Sequence, residues 1–322
     1  MRRLFTGFAV AASLCMSLAG TAAAQEFPSR AIRLIVPVPP GGTGDLVSRL
    51  VANVASRDLN QSIVIDNRPG ATGNIGTAAA IRAPADGYTV FLCSIGNCAV
   101  NASLYANPGF DLFRDVAPVI LLGSSINLLA AGPQTGIRSV KDLLEQARTG
   151  QVSYGSSGVG ASNHLAGEML KKMSGASLLH VPYKGSGPAI TDLLGGQIQV
   201  FFDNEPSIAP FVKSSKVNAL AVTGKRRSAN FPEVPTMEEL GFKGFVIEPW
   251  YAIGAPAATP PAVVARLNAA FNRALQDPAV RKALLDAGIT PAGGTPAALG
   301  KHIREEHDKW ADLIKAQNIT PD

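Results

Sequence analysis

Short apolar runs and helix-spaced apolar positions alternate along almost the whole chain. Residues 31–38 (AIRLIVPV), interrupted only by Arg33, are rich in branched residues and read as a buried strand. The turn Pro39-Pro40-Gly41-Gly42-Thr43-Gly44 ends it. Leu46, Val47, Leu50, Val51 and Val54 then recur at helical spacing, which predicts a helix to about Leu59. The same alternation predicts a strand over 62–66, a helix over 74–82 and a strand over 88–93. Strands alternating with helices point to a parallel sheet covered on both faces.

The middle of the chain repeats the pattern. Strands are expected at 116–122 and 127–131, then a helix capped by Ser139 with Val140, Leu143 and Leu144 on its apolar face. Strand 151–155 leads into Gly155-Ser156-Ser157-Gly158-Val159-Gly160 and a helix to Met173. Strand 178–182 leads into Tyr183-Lys184-Gly185-Ser186-Gly187-Pro188 and a helix to Leu194. Strand 198–202 ends at Asp203-Asn204, strand 217–222 closes the unit, and 245–253 returns towards the first sheet. Helices near 260–276, 278–287 and 296–317 finish the chain. Two α/β sheets joined twice, near 124 and near 245, make a cleft that can hinge. Ligands of open α/β sheets bind beyond the carboxyl ends of the strands.

Composition narrows the class. The chain has 322 residues, 46% hydrophobic and 16% charged, enough for two domains with their own cores and too apolar for disorder. Arg2 and Arg3, the apolar run Phe8 to Ala19, and Ala22-Ala23-Ala24 before Gln25 form a secretory signal pattern with cleavage after Ala24. Bulky Leu14 before Cys15 argues against a lipid anchor. Losing residues 1–24 removes two arginines and no acids, so the net charge of +5 falls to +3. Basic residues are scattered, and Lys225-Arg226-Arg227 reads as a solvated turn, so nucleic acid is not an expected partner. His302 and His307, five apart on the last helix, do not share a face and read as surface residues, and no metal or other cofactor is expected. Cys93 and Cys98 remain after cleavage. In an exported protein they either bridge or stay as thiols.

Three glycine-rich loops, 39–45, 155–162 and 183–188, each follow a strand and open a helix. The first turn of a helix offers unpaired N–H groups and the positive end of the dipole, a site for an anion without Arg or Lys. Asp203 ends an apolar strand and is expected either to face the cleft or to cap the next helix. Trp250 and Tyr251 are expected in the cleft wall or the core. Gly42-Thr43-Gly44 begins like a dinucleotide fingerprint, but Val47 stands at the third glycine position. An exported hydrolase using Ser156 or Ser157 with His164 lacks a G-x-S-x-G elbow, and helical spacing turns His164 towards the strand–helix interface.

Several runs carry a family resemblance. Phe27-Pro28-Ser29-Arg30, Pro39-Pro40-Gly41-Gly42, Asp66-Asn67-Arg68-Pro69-Gly70-Ala71 and Asp86-Gly87-Tyr88 resemble the receptors of tripartite tricarboxylate transporters, the Bug/TctC-type proteins. So do Tyr154-Gly155-Ser156-Ser157-Gly158, His164-Leu165-Ala166-Gly167-Glu168, Val181-Pro182-Tyr183-Lys184-Gly185, Thr191-Asp192-Leu193-Leu194-Gly195-Gly196-Gln197 and Phe202-Asp203-Asn204. The resemblance covers the mature chain in order. It implies a monomeric periplasmic receptor of the two-lobed, type II "Venus flytrap" fold: residues 25–124 plus 246–322 in one lobe, 125–245 in the other. It would close on a small carboxylate and deliver it to transporter subunits in the membrane, without catalysis. A second reading makes the same fold a ligand-dependent partner of a sensor kinase.

The resemblance places the ligand among Gly41, Gly42, Thr43, Gly44 and Asp45 of the first loop and Ser156, Ser157, Gly158, Ala161 and Ser162 of the second. Tyr183, Gly185, Ser186, Asp203 and Trp250 join them, with Ser94 and Asn97 from the cysteine loop. The family commonly places Thr directly before the Asp of the first loop. Here Gly44 stands between Thr43 and Asp45, which favours an amide contact over a hydroxyl one. Ser157 is expected to present its hydroxyl or N–H to the carboxylate. Glu205, beside Asp203, is expected either to disfavour multiply anionic ligands or to point to solvent.

Overall fold

The computed structural model describes residues 27–321, so the expected signal segment and cleavage after Ala24 lie outside the described residues. The first strand, β1 (Ile32–Val36), lies in the middle of a parallel trio with β2 (Ile63–Asn67) and β3 (Thr89–Ser94). Between β1 and β2 runs α1 (Thr43–Leu59), which buries Val47, Val51, Ala55 and Leu59, a four-residue spacing that lines one helix face. Asn60 ends it in the left-handed region at φ 50°. A short 3-10 turn (Ala71–Gly73) leads into α2 (Asn74–Ile81).

After β3 the chain makes a π turn (Gly96–Val100) and two short helices, α3 (Asn101–Leu104) and α4 (Leu112–Asp115), none of which the hydrophobic pattern predicts. Strand β4 (Val116–Ser124) then leaves the first sheet for β5 (Asn127–Ala131) of the second. There follow α5 (Val140–Thr149), β6 (Val152–Ser156), α6 (Ser162–Ser174), β7 (Leu178–Pro182) and α7 (Ser186–Gly195). Next come β8 (Val200–Asn204), α8 (Glu205–Lys213) and β9 (Asn218–Val222). The return strand is β10 (Trp250–Pro256), five residues later than the expected start at 245. Helix α9 (Pro261–Gln276), α10 (Pro278–Asp286), the two-residue β11 (Thr290–Pro291) and α11 (Pro296–Gln317) complete the fold. Among the described residues no helix is long and apolar enough to cross a membrane.

The sheets are ordered β11-β4-β10-β3-β1-β2 and β7-β6-β8-β5-β9. Both are mixed, where the simple alternation predicts parallel pairing. The trios β2-β1-β3 and β7-β6-β8 are parallel, whereas β10 runs antiparallel to β3 and β4, and β5 antiparallel to β8 and β9. The physical reason is the double connection. β5 and β10 enter their sheets from the other lobe, and so from the opposite end to the strands that a crossover helix delivers.

The two connections are bonded to each other. Ser125 N–H donates to the Pro249 carbonyl (2.8 Å) and Thr223 N–H to that of Asn127 (2.9 Å). Thr223 is buried, accepts from Asn127 N–H (2.9 Å) and donates its hydroxyl to the Ile247 carbonyl (2.6 Å). One hydroxyl therefore satisfies a donor on one connection and an acceptor on the other. Thr223→Val keeps the shape and leaves two buried backbone groups unpaired, so it should destabilise the protein by about 1–3 kcal/mol in urea unfolding. A loss below a few tenths would show that the crossovers do not depend on it.

Candidate functional site

The carboxyl ends of both parallel trios face one another across a cavity of about 650 Å³. The lobes touch around it. Thr72 donates its hydroxyl to the Val159 carbonyl (2.5 Å), the Thr43 and Ser207 hydroxyls lie 3.1 Å apart, and a Cβ on Gly185 would sit 3.2 Å from the Pro39 ring.

Five helices begin in this wall. Their N-caps are Gly42 (α1), Gly73 (α2), Ala161 (α6), Gly185 (α7) and Asn204 (α8), and none caps its helix with a side chain. Away from the cavity, Asp111, Ser139, Asp277 and Thr295 cap α4, α5, α10 and α11 through their side chains, while α3 and α9, behind Val100 and Pro260, have no such cap. Polar caps are the ordinary way to satisfy first-turn N–H groups. Some of these donors are taken within the protein, Asn74 N–H by the Ala71 carbonyl, Glu205 N–H by that of Ile126 and His164 N–H by Asn163. Those that remain, at Thr43, Ser162 and Ser186 among others, are left for whatever occupies the cavity. The lining contains no Asp or Glu, and its one charged side chain is the exposed Lys184.

Two of the loops are built alike. In the first, Gly41 has φ +82°, conformational space that glycine supplies cheaply. Its N–H donates to the Asp45 carboxylate (3.0 Å), which also accepts from Arg49 (2.9 Å) and Asn67 (2.9 Å). Burial opposes the charge on Asp45, but the Arg49, Gly41 and Asn67 bonds outweigh it and hold the carboxyl below its usual range. In the second, Gly160 has φ +83° and its N–H donates to His164 Nδ1 (3.1 Å). Asn163 Oδ1 accepts from the N–H (3.1 Å) and the hydroxyl (3.2 Å) of Ser157.

Of the residues expected at the ligand, Gly42, Thr43, Gly44, Ser94, Ser157, Gly158, Ala161 and Ser162 border the cavity, as do Tyr183, Gly185, Ser186 and Trp250. Gly41, Asp45, Asn97, Ser156 and Asp203 do not. Gly41 and Asp45 are spent on each other. Asn97 is buried with its amide fully used: it accepts from the Ser94 N–H and hydroxyl (2.8 Å each) and donates to Thr77 (2.8 Å) and the Leu92 carbonyl (3.0 Å). Ser156 points inward, its Oγ 2.6 Å from His180 Nε2 and accepting from Gly158 N–H (3.2 Å). Ser157 keeps its place in the wall, but its N–H is committed to Asn163 and is not a free donor.

Asp203 neither lines the cavity nor caps α8. It is fully buried, accepts from the Ser186 hydroxyl (2.7 Å) on Oδ1, and has no partner on Oδ2. Burial, only partly offset by Ser186, the Asn204 amide and Asn163, pushes its carboxyl up to about 7. Glu205 faces neither ligand nor solvent: it is buried, accepts from Asn230 (2.7 Å) and lies against Gly288 of the other lobe. His302 is half-buried with its ring edge-on to Trp250 (5.0 Å) rather than at the surface. Cys93 and Cys98 are bridged and buried behind the wall that Ser94, Ile95 and Gly96 form. Ser156 and Ser157 do not meet His164, whose Nδ1 is taken by Gly160.

Sequence reasoning missed the wall 69–73. Pro69-Gly70-Ala71-Thr72-Gly73 borders the cavity between β2 and α2, and Asn101 donates to the Thr72 carbonyl (3.1 Å). Ala71 and Thr72 both have positive φ, 45° and 48°, a strained pair without glycine's freedom. The signal was available, since this is a fourth glycine-containing turn between a strand and a helix.

A model of the family described as "Tripartite tricarboxylate transporter family receptor" matches residues 47–319. Protein BugT of Bordetella pertussis is 38% identical over 301 residues, covering 92% of either chain. An R. palustris protein solved with adipate superposes with a TM-score of 0.89 at 35% identity, over 92% of this chain and 100% of that one. MatC from Rhodopseudomonas palustris, with bound malate, gives 0.84 at 29% identity over 89% and 100%.

The Asp203 environment carries a pH signature. A carboxyl at about 7 in the fold and near 3.8 unfolded binds its proton more tightly when folded, so the protein loses stability as pH rises from about 4 to 7. Asp203→Asn keeps an acceptor for Ser186 and has nothing to ionise. Its stability relative to the native chain should therefore rise by about 1–4 kcal/mol between pH 5 and pH 8, read by denaturant unfolding. A constant difference across that range would place the native carboxyl at an ordinary value.

Proposed function

The chain belongs to the tripartite tricarboxylate transporter receptor family, whose members are periplasmic solute-binding proteins, and from that premise we propose that it captures a small carboxylate between its lobes for a tripartite transporter in the membrane. The observation that carries this reading is the set of five uncapped helix N-termini around a cavity whose lining holds no acid. Hydrogen bonds from neutral amides to a charged carboxylate contribute roughly 1.5–3 kcal/mol each, and micromolar affinity needs about 8 kcal/mol. A few such donors suffice.

In this reading 25–124 with 246–322 form one closing unit and 125–245 the other. Each presents one loop of the same design, with Thr43 and Ser162 at the first helical position. A ligand that bonds both favours the closed arrangement over the open one, the population shift a transporter can read. No bond is made or broken in the ligand. The adipate and malate held by two structural relatives support the ligand class. Delivery to membrane subunits and residence in the periplasm rest on the family, and cleavage after Ala24 on the signal pattern of the sequence.

A thermal-shift screen against malate, adipate, citrate, benzoate and aspartate tests the ligand class. At a thousand-fold excess over Kd a ligand adds about 4 kcal/mol, which for a chain of this size raises Tm by roughly 8 °C or more. A flat response across the panel, from protein freed of any co-purified acid by unfolding and refolding, would sink the carboxylate reading.

The amides can be removed one at a time. Gly42 and Ala161 have extended backbones (φ/ψ −76°/168° and −71°/158°), which tolerate proline next in the chain. Proline is also at home at the first position of a helix. Thr43→Pro and Ser162→Pro therefore delete one N–H each without breaking α1 or α6. Each should weaken binding of the acid found in the screen about 10- to 100-fold, while Thr43→Ala and Ser162→Ala, which keep the N–H, cost less. Equal losses in the Pro and Ala variants, by calorimetry, would shift the credit from the amides to the hydroxyls.

A further inference from the structure

Behind the second loop three rings are stacked, Tyr154 and His164 buried and His180 half-buried. Tyr154 of β6 lies against His180 of β7 (centroids 5.0 Å, 28° between planes), and His180 against His164 of α6 (4.0 Å, 25°). Neither histidine borders the cavity. Both are nonetheless bonded to the loop that does. His164 Nδ1 accepts from Gly160 N–H (3.1 Å), and His180 Nε2 meets Ser156 Oγ (2.6 Å), which accepts from Gly158 N–H (3.2 Å).

These bonds fix where the protons sit. An imidazole nitrogen that accepts an amide N–H carries no proton, so His164 holds its proton on Nε2. Ser156 is fully buried, and His180 Nε2 is the only acceptor within reach of its O–H among the described residues. An O–H left without an acceptor there would cost about 1–3 kcal/mol. Ser156 therefore donates to His180 Nε2, and His180 holds its proton on Nδ1.

The first lobe shows what such a bond is for. Asp45 and His164 occupy the same position, third in their helices, and each accepts the N–H of a glycine four residues back. Those glycines have φ +82° and +83°, and the N-caps that follow differ by at most 10° in φ and ψ. One lobe does with a carboxylate what the other does with an imidazole.

We propose that His164 and His180 are positioning residues for ligand binding: as a neutral, stacked pair they hold the Gly158 and Gly160 amides and so set the shape of the second-lobe loop that receives the carboxylate. The proposal rests on the carboxylate reading only for what the loop is used for. Protonating His164 would turn the acceptor facing Gly160 into a donor, and protonating His180 would do the same to the nitrogen facing Ser156. Burial first, and then Lys171 for His164 and its neighbour His164 for His180, keep the two rings neutral down to about 4 and about 3. The ionisable groups around the pair are Tyr154 on β6 and Glu168 and Lys171 on α6, which bond one another (Tyr154 Oη to Glu168 Oε1 2.7 Å; Lys171 Nζ to the same oxygen 2.8 Å). The Glu168 carboxylate favours a proton on His180, but burial, His164 and Lys171 outweigh it and the ring stays neutral.

The test needs no ligand for its first arm. Proton–nitrogen correlation of the histidine rings in the native protein at pH 7 should show His164 protonated on Nε2 alone and His180 on Nδ1 alone. The reverse tautomer or a doubly protonated ring on either residue overturns the assignment. In the second arm, His164→Asn and His180→Gln return an acceptor, whereas His164→Leu and His180→Leu do not. The Leu variants should exchange the Gly160 and Gly158 amide protons about ten-fold faster and the Asn and Gln variants within a few-fold of native. They should also bind adipate or malate, whichever raises the native Tm, about ten-fold more weakly, with recovery in the polar variants. Native exchange and native affinity in folded Leu variants would refute the proposal. If neither acid shifts the native protein, the choice of carboxylate fails while the ring and exchange data still decide the role of the pair.

Discussion

Everything at this site depends on backbone N–H groups that have no partner of their own. A helix cannot bond its first amides internally, and most helices solve this with a Ser, Thr, Asp or Asn at the cap. Here the solution is used at Asp111, Ser139, Asp277 and Thr295 and withheld at the five helices that open into the cavity. The withheld caps make the wall attractive to an anion while the only charged side chain in it is the exposed Lys184.

Leaving a helix end uncapped removes the bond that normally sets how the chain enters. The side chains that replace it reach backwards. Asp45 bonds Gly41, His164 bonds Gly160, and Asn163 bonds Ser157, so the loops are held from behind while their other side borders the cavity. Asp45 can stay charged because Arg49 and Asn67 attend it. His164 and Asp203 sit where charge would be dearer, and burial keeps the first neutral and pulls the second towards neutrality. The result is a cavity wall with no carboxylate in it.

The same logic sets the frame. Because the chain crosses between lobes twice, β5 and β10 run against the parallel strands, and the connections are bonded through Thr223. That pairing restricts how the lobes can move apart. Around the cavity the lobes meet through Thr72 with Val159 and Thr43 with Ser207, and also through apolar packing, with Gly160 and Val159 against Val100 and Leu104 and Gly185 against Pro39.

The local pattern was readable from the sequence. Runs such as 31–38 and 127–131, and the spacing of Val47 and Val51, carry strand and helix by nearest-neighbour chemistry, and a glycine turn between them announces a helix N-terminus wherever it occurs. Twelve of the seventeen residues expected at the ligand border the cavity. The orientation of single side chains was not readable. Ser156 and Ser157 are adjacent and chemically identical, yet one is locked to His180 inside and the other faces the cavity. Asn97 and Asp45 look like ligand contacts and are struts. Thr72, in a turn of the same pattern, is a wall residue that sequence reasoning passed over. Which way a polar group turns depends on what else is buried beside it, and those neighbours, His180 for Ser156, Thr77 for Asn97 and Val159 for Thr72, come from 20 or more residues away along the chain. Local spacing therefore determined that there would be amide-bearing loops, and only the packing of distant segments decided which atoms of those loops remain free.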